Sequence, residues 1–213
     1  MNSILDKKES LQLALEQGYR QLGLDDTSSI TACLSYLALL YKWNKTYNLT
    51  AIKEPEQMLQ RHVLDSLSVL PFIKGQRCLD IGTGAGLPGL ILALAQPEKH
   101  WTLLDSNIKK TRFLQHVKAK LNISNIDIVH SRSEKFQDEK GFETIICRAF
   151  SSLRDYYFSS NHLLKDDGEL LAMKADIQDT ELEEVESLVQ KIKIEELNLL
   201  DEKIKRCIVI MTA

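Results

Sequence analysis

Four glycines within eight residues, and the carboxylates that flank them, are the groups in this chain best placed for chemistry. Residues 77–89 read RCLDIGTGAGLPG and hold Gly82, Gly84, Gly86 and Gly89, four of the nine glycines in 213 residues. The stretch follows a short apolar run, residues 78–81, broken by Asp80, and leads into residues 87–95, apolar at nearly every position. That pattern predicts a buried strand, a glycine-rich turn and a buried helix. Glycine is needed where the chain turns sharply, takes a positive φ or lets a ligand touch the backbone. A helix starting at the turn would offer free N–H groups and the positive end of its dipole. The stretch is therefore suited to holding a small ligand against backbone. A tight turn with no ligand is the plainer alternative, but an exposed turn does not need four glycines.

A second carboxylate narrows the ligand. Asp105 closes the next apolar run, a little over twenty residues beyond Gly82. In a doubly wound sheet both strand ends open onto one crevice, where an acidic side chain accepts hydrogen bonds from ribose hydroxyls. Asp80, one step before the turn, would repel a pyrophosphate and suits a ligand with a cationic amine. S-adenosylmethionine has a ribose, an ammonium, a sulfonium and no phosphate, so it fits better than a nicotinamide dinucleotide. Ser133 and Glu134, in a polar cluster after the third predicted strand, are placed to border an adenine, or form a solvated loop. Arg148 follows the fourth strand, where an unpaired guanidinium is costly. It would clamp a carboxylate or phosphate, or else pair with Asp80 or Glu134.

Two further groups are basic. Arg61, His62, Asp65 and Ser66 form one cluster, in which Arg61 and Asp65 have the spacing of an ordinary helical ion pair. Lys109, Arg112, His116 and Lys120 share one predicted helical face, a solvated face or a phosphate-contacting stripe.

The elements that must position these groups divide the chain in two. Residues 1–72 read as a helical extension: a helix through Leu5 to Leu22, a capping cluster at Asp26, Thr27 and Ser28, a helix to about Asn44, an aromatic-bearing polar loop over residues 43–50, and a helix opened by Pro55. In residues 73–213 apolar strands alternate with amphipathic helices. The strands cover residues 78–81, 100–105, 126–130, 142–147 and 168–173; the helices cover residues 87–95, the segment after Ile108, 153–163 and the segment from Leu182 to Ile192. The last two apolar runs, residues 194–200 and 204–211, read as an antiparallel hairpin. This predicts an α/β fold with a mostly parallel sheet and helices on both faces.

Composition sets outer limits. An apolar content of 44% with 27% charged residues is that of a globular protein. The first residues carry no long apolar segment resembling a signal peptide, and no apolar run is long enough for a bilayer, so no membrane partner is expected and the cytoplasm is the expected location. Cys33, Cys78, Cys147 and Cys207 are scattered, which suits reduced core thiols and gives no metal site. Residues 176–202 hold ten carboxylates against two lysines, a local charge of −8, which leaves the rest of the chain at +5 within the net −3. An acidic face can thus mask a basic one.

Taken together, the motifs resemble those of the bacterial small-subunit rRNA guanine-N7 methyltransferases, the family also called glucose-inhibited division protein B. The likeness runs through WNKTYNLT (43–50), the Arg61-His62 to Asp65-Ser66 cluster, the glycine stretch, Leu104-Asp105-Ser106, Lys110 with Arg112-Phe113-Leu114, Ser131-Arg132 and CRAF (147–150). Many methyltransferases share the glycine turn; the Asn48-Leu49-Thr50 and Arg61-His62 segments single out this family. The resemblance implies a class I S-adenosylmethionine-dependent methyltransferase fold, Rossmann-like, with strand order 3-2-1-4-5-7-6 and an N-terminal helical extension. It implies that Gly82 and Leu87 hold the methionine end of S-adenosylmethionine, that Ser133 and Glu134 border its adenine, and that Arg148 closes the site. With Asp80, Gly84, Gly86 and Asp105 from the residue reading, these form the expected cofactor site. The implied partner is 16S rRNA of the small ribosomal subunit, with a guanine near the decoding centre as target and the protein acting as a monomer. Asn48, Arg61, His62, Lys109, Arg112 and Lys174 are the expected RNA contacts, with Tyr47 beside them.

Guanine N7 carries a lone pair and no proton at neutral pH, so it can attack a sulfonium methyl without a general base. Positioning and exclusion of water would then supply the catalysis, and no proton-transfer residue is expected. The alternatives are a small-molecule methyltransferase on the same cofactor, a non-catalytic RNA-binding factor that keeps the fold, and a nicotinamide enzyme.

Overall fold

The computed structural model describes residue 4 and residues 7–148, 150, 152–197 and 206–212. The apolar runs form β1 (Arg77–Ile81), β2 (His100–Asp105), β3 (Ile126–His130), β4 (Phe142–Arg148), β5 (Leu164–Lys174), β6 (Lys191–Glu196) and β7 (Cys207–Thr212). They make one sheet in the order β3-β2-β1-β4-β5-β7-β6. β1 to β5 pair in parallel, and β7 runs antiparallel to both β5 and β6. This is the strand order implied by the resemblance. Reversal of strand direction at the β5–β7 edge follows from joining the last two strands as a hairpin, whose turn, residues 198–205, lies outside the described residues.

Helices cover both faces, as parallel strands require. α1 (Lys8–Gln21), α2 (Ile30–Tyr47), α3 (Pro55–Met58), a π-helical stretch (Leu59–Leu64) and α4 (Asp65–Leu67) precede the sheet; α5 (Gly89–Ala95), α6 (Ile108–Leu121), α7 (Leu153–Ser160) and α8 (Asp179–Glu186) alternate with its strands. Period-two alternation splits the buried side chains into two layers. Leu15, Leu37 and Met58 from the N-terminal helices join Leu90, Phe113 and Ile146 on one face. Leu79, Ile145, Tyr156 and Val185 fill the other. The N-terminal helices are therefore continuous with the core on one side of the sheet.

Several boundaries differ from the sequence reading. α2 continues three residues past Asn44, through most of the predicted loop. Trp43 explains this: its ring lies 5.0 Å from Tyr47, 5.1 Å from His116 and 5.5 Å from Phe113, so packing against α6 favours one more helical turn. Asn48 ends the helix in the left-handed region, φ 50° and ψ 51°, a conformation asparagine tolerates. α5 begins at Gly89, two residues late, because the turn uses residues 82–88. β5 starts four residues early, at Leu164, across a register shift between Phe142 and Thr144. α8 ends at Glu186, and residues 191–192 enter β6 instead. Leu5, taken as the start of the first helix, lies outside the described residues. No helix among the described residues is long and apolar enough to cross a membrane.

Candidate active site

The four glycines separate into two pairs with different work. Gly82 and Gly84 sit at φ +67° and +62°. A Cβ on Gly82 would meet nothing within 4 Å, so the space above it is open for a ligand. Gly86 and Gly89 are packing positions: a Cβ on Gly86 would come within 2.8 Å of Leu90 and Leu114, and one on Gly89 within 2.6 Å of Asp80.

The turn's N–H groups are largely used within the protein, against the expectation of free donors at a helix N-terminus. Gly82 and Thr83 donate to the Leu104 carbonyl at 2.8 and 3.0 Å, and Gly86 and Leu87 donate to the Thr83 carbonyl at 2.9 and 2.8 Å. Gly84 donates to Asp105 Oδ2 at 2.8 Å, and Gly89 donates to Asp80 Oδ2 at 2.7 Å. Such a turn is poorly equipped to cradle a pyrophosphate, which relies on several free N–H groups. The turn itself thus speaks against a nicotinamide dinucleotide. Leu87 is buried in the core and its N–H donates to the Thr83 carbonyl.

Asp80 is fully buried beneath the turn. Its Oδ2 accepts from Thr83 Oγ1 and from Gly89, both at 2.7 Å, while Oδ1 is buried without a hydrogen-bond partner. Burial raises its pKa to about 7, opposed by the hydroxyl, the amide and the nearby Arg148 guanidinium. The carboxylate thus holds the turn to the start of α5, and does not stand in the open crevice as the sequence reading places it.

Asp105 does face the crevice. Its Oδ1 accepts from the Asn107 amide at 2.7 Å, which leaves lone-pair capacity on each oxygen for ribose hydroxyls. Around it opens a cavity of about 280 Å³, lined at the carboxyl ends of β1, β2 and β3 by Gly82, Asp105, Lys110, Ser133, Glu134 and Phe150, among others. The structure thus brings Gly82, Asp105, Ser133 and Glu134 together as predicted. Lys110, one of the family-like motif residues, lies 3.7 Å from Asp105 Oδ2, whereas Lys109 is exposed outside the cavity. The open space over Gly82, the carboxylate facing the cavity and the scarcity of free N–H donors in the turn fit S-adenosylmethionine.

Arg148 joins the glycine turn to the N-terminal cluster. Ile81 pairs with Cys147, so the next residues, Gly82 and Arg148, stand side by side at the strand ends. Arg148 Nη1 lies 3.2 Å from the Arg61 carbonyl and 3.3 Å from Asp65 Oδ2. Neither Asp80 nor Glu134 is its ion-pair partner, contrary to the alternative raised for it. Asp65 is buried and also pairs with Arg206 Nε at 3.4 Å. Neither Asp65 nor Arg206 was read as a site residue. Asp65 carried a signal, its place in the family-like cluster; Arg206, before a short terminal strand, carried none.

His62 is drawn into the same network and out of reach of a substrate. It is buried, with Nδ1 3.0 Å from the Arg61 carbonyl and Nε2 2.9 Å from Thr50 Oγ1. A neutral imidazole satisfies both contacts, Nδ1–H donating and Nε2 accepting. Burial and the Arg148 charge lower its pKa to about 4. As an RNA contact His62 is therefore replaced by a structural role: it locks the Asn48-Leu49-Thr50 loop onto the π-helical stretch. Lys174 is likewise engaged, 2.5 Å from Glu181 Oε1 and little exposed. Asn48, Arg61, Lys109 and Arg112 remain exposed, as does Tyr47.

Fold and site together define a class: the sheet order is that of S-adenosylmethionine-dependent methyltransferases. One such enzyme from Aquifex aeolicus superposes with a TM-score of 0.60 at 15% identity, over 78% of this chain and 97% of that one. Sequence comparison resolves the family. Residues 29–209 match the family described as rRNA small subunit methyltransferase G, and the chain belongs to it. Two similar relatives, both named ribosomal RNA small subunit methyltransferase G, come from Legionella pneumophila and Stutzerimonas stutzeri. The first is 50% identical over 168 residues, 79% of this chain and 80% of its own. The second is 50% identical over 179 residues, 82% and 83% respectively.

Proposed function

We propose that this chain transfers a methyl group from S-adenosylmethionine to N7 of a guanine in the 16S RNA of the small ribosomal subunit, in a loop near the decoding centre. The observation that carries the reading is the cavity over Gly82 and Asp105, at the carboxyl ends of β1 to β3, in a chain of this family. Residues 1–72 act as an extension that shapes the RNA side, and residues 73–213 as the methyltransferase domain.

When bound, the cofactor supplies an electrophilic sulfonium methyl. Asp105 accepts the ribose hydroxyls, the bare backbone at Gly82 lets the methionine end lie close, and Ser133 and Glu134 border the adenine. Arg148, beside Gly82, orients the entering guanine or its phosphate. Because N7 needs no deprotonation, none of these groups moves a proton, and rate comes from geometry and exclusion of water. An unpaired base in a loop is inserted at lower cost than one in a duplex. Asn48, Arg61, Lys109 and Arg112, exposed around the site, are the RNA-facing residues, and the protein acts as a cytoplasmic monomer.

Incubating purified small subunits or 16S RNA with the protein and labelled S-adenosylmethionine tests this. Label in 7-methylguanosine after nucleoside digestion is expected. Label confined to a small molecule would replace the RNA reading with a small-molecule methyltransferase.

A further inference from the structure

The Asp65 carboxylate holds two arginines that arrive from different strands of the methyltransferase core. Arg148 leaves the carboxyl end of β4, and Arg206 immediately precedes β7. Across the sheet Arg148 pairs with Met173, and Lys174 pairs with Cys207. Both guanidiniums therefore stand at the carboxyl ends of the central strands, on the rim that holds the cofactor cavity. Arg148 contacts Asp65 Oδ2 at 3.3 Å and Arg206 contacts Oδ1 at 3.4 Å.

Two guanidiniums share a carboxylate that carries at most one negative charge, and His62 beside them has both ring nitrogens satisfied as a neutral ring. Asp65 is almost wholly buried, whereas the two arginine side chains keep 23% and 29% exposure. Among the described residues Asp65 Oδ1 accepts no hydrogen bond, so Arg206 Nε approaches it as an ion pair. Two guanidiniums brought together at partly exposed positions are matched by a phosphate's paired oxygens. The buried carboxylate between them holds both guanidiniums together at partly exposed positions.

We infer that Arg206 and Arg148, held on Asp65, form a clamp for a backbone phosphate of the RNA strand that delivers the target base. This rests on the RNA reading of the site. A cofactor carboxylate is the less suited ligand for Arg206, because β5 separates β7 from the β4 edge beside Gly82.

Filter binding of deproteinised 16S RNA across a series of potassium chloride concentrations tests the clamp, with S-adenosylmethionine affinity measured by calorimetry on the same proteins. Arg206→Ala is expected to weaken RNA binding roughly five- to tenfold at low salt. It should also flatten the slope of log affinity against log salt by about 0.7 to 1, the share of one phosphate contact. Arg206→Lys should keep most of the slope, and cofactor affinity should stay within about twofold in both. If Arg206→Ala proves unfolded by thermal denaturation, Arg206→Gln against Arg206→Lys makes the same comparison. Unchanged RNA affinity and slope in the folded variants would overturn the clamp, as would a loss of cofactor affinity matching the loss of RNA affinity. Absence of RNA binding by the unaltered chain would instead remove the RNA reading, and the clamp with it.

Discussion

His62 and Asp80 pull the pH dependence of stability in opposite directions. His62 has a folded pKa near 4, below its usual 6.5. It therefore contributes stability that is present above pH 6.5 and lost as pH falls toward 4, roughly 3 kcal/mol if the whole shift is expressed. Asp80 has a folded pKa near 7, above its usual 3.8, so its contribution is full below 3.8 and lost as pH rises through 7. Between about pH 5 and 7 the two nearly offset. Urea unfolding across that window should show a flat profile for the parent chain. Asp80→Asn should lose stability toward pH 5, and His62→Phe should gain it. Parallel profiles for all three proteins would contradict these assignments. Asp105 belongs to ligand binding instead: Asp105→Ala should lower S-adenosylmethionine affinity about 10- to 100-fold by calorimetry, the loss of charge-assisted hydrogen bonds to ribose.

Among the elements, the glycine turn separates binding from folding. Gly82→Ala should fold with a loss of about 1 kcal/mol from its positive φ, yet place a methyl group in the cofactor space and reduce affinity at least tenfold. Gly86→Ala should destabilise by a few kcal/mol, because its Cβ would lie 2.8 Å from Leu90 Cβ at φ +96°. Thermal denaturation with and without cofactor distinguishes the two. The turn was legible in the sequence because four glycines and a strand-ending carboxylate have few other uses. Which glycine serves which purpose was not, since that depends on Leu114 and Asp80 arriving from other elements. The strands were found within a few residues for the same reason: buried parallel strands are short apolar runs with clear ends. The misplaced boundaries, at Tyr47, Leu164 and Glu186, are those set by packing with distant partners. The π-helical stretch around His62 had no local signature, and it presents the Arg61 carbonyl to both His62 and Arg148.

On the scale of the whole molecule, the N-terminal helices do more than cover a sheet face. Tyr36 on α2 donates to the Ala85 carbonyl of the glycine turn at 2.8 Å, and Asp65 on α4 anchors Arg148. The segments that mark the family are therefore the ones that join the extension to the cofactor site. The sequence pattern identified them only through resemblance, because partners 49 and 83 residues apart leave no periodic trace. Tyr36→Phe should weaken this junction by about 1 kcal/mol in urea unfolding, the net worth of one buried hydrogen bond, with the same fold by circular dichroism. The proposed activity of the whole molecule is methylation of 16S RNA at guanine N7. Nucleoside analysis of 16S RNA from cells with and without this protein tests it most directly. 7-Methylguanosine should be present in the first and lost in the second, restored by the parent chain and not by Asp105→Ala. Equal 7-methylguanosine in both would contradict it.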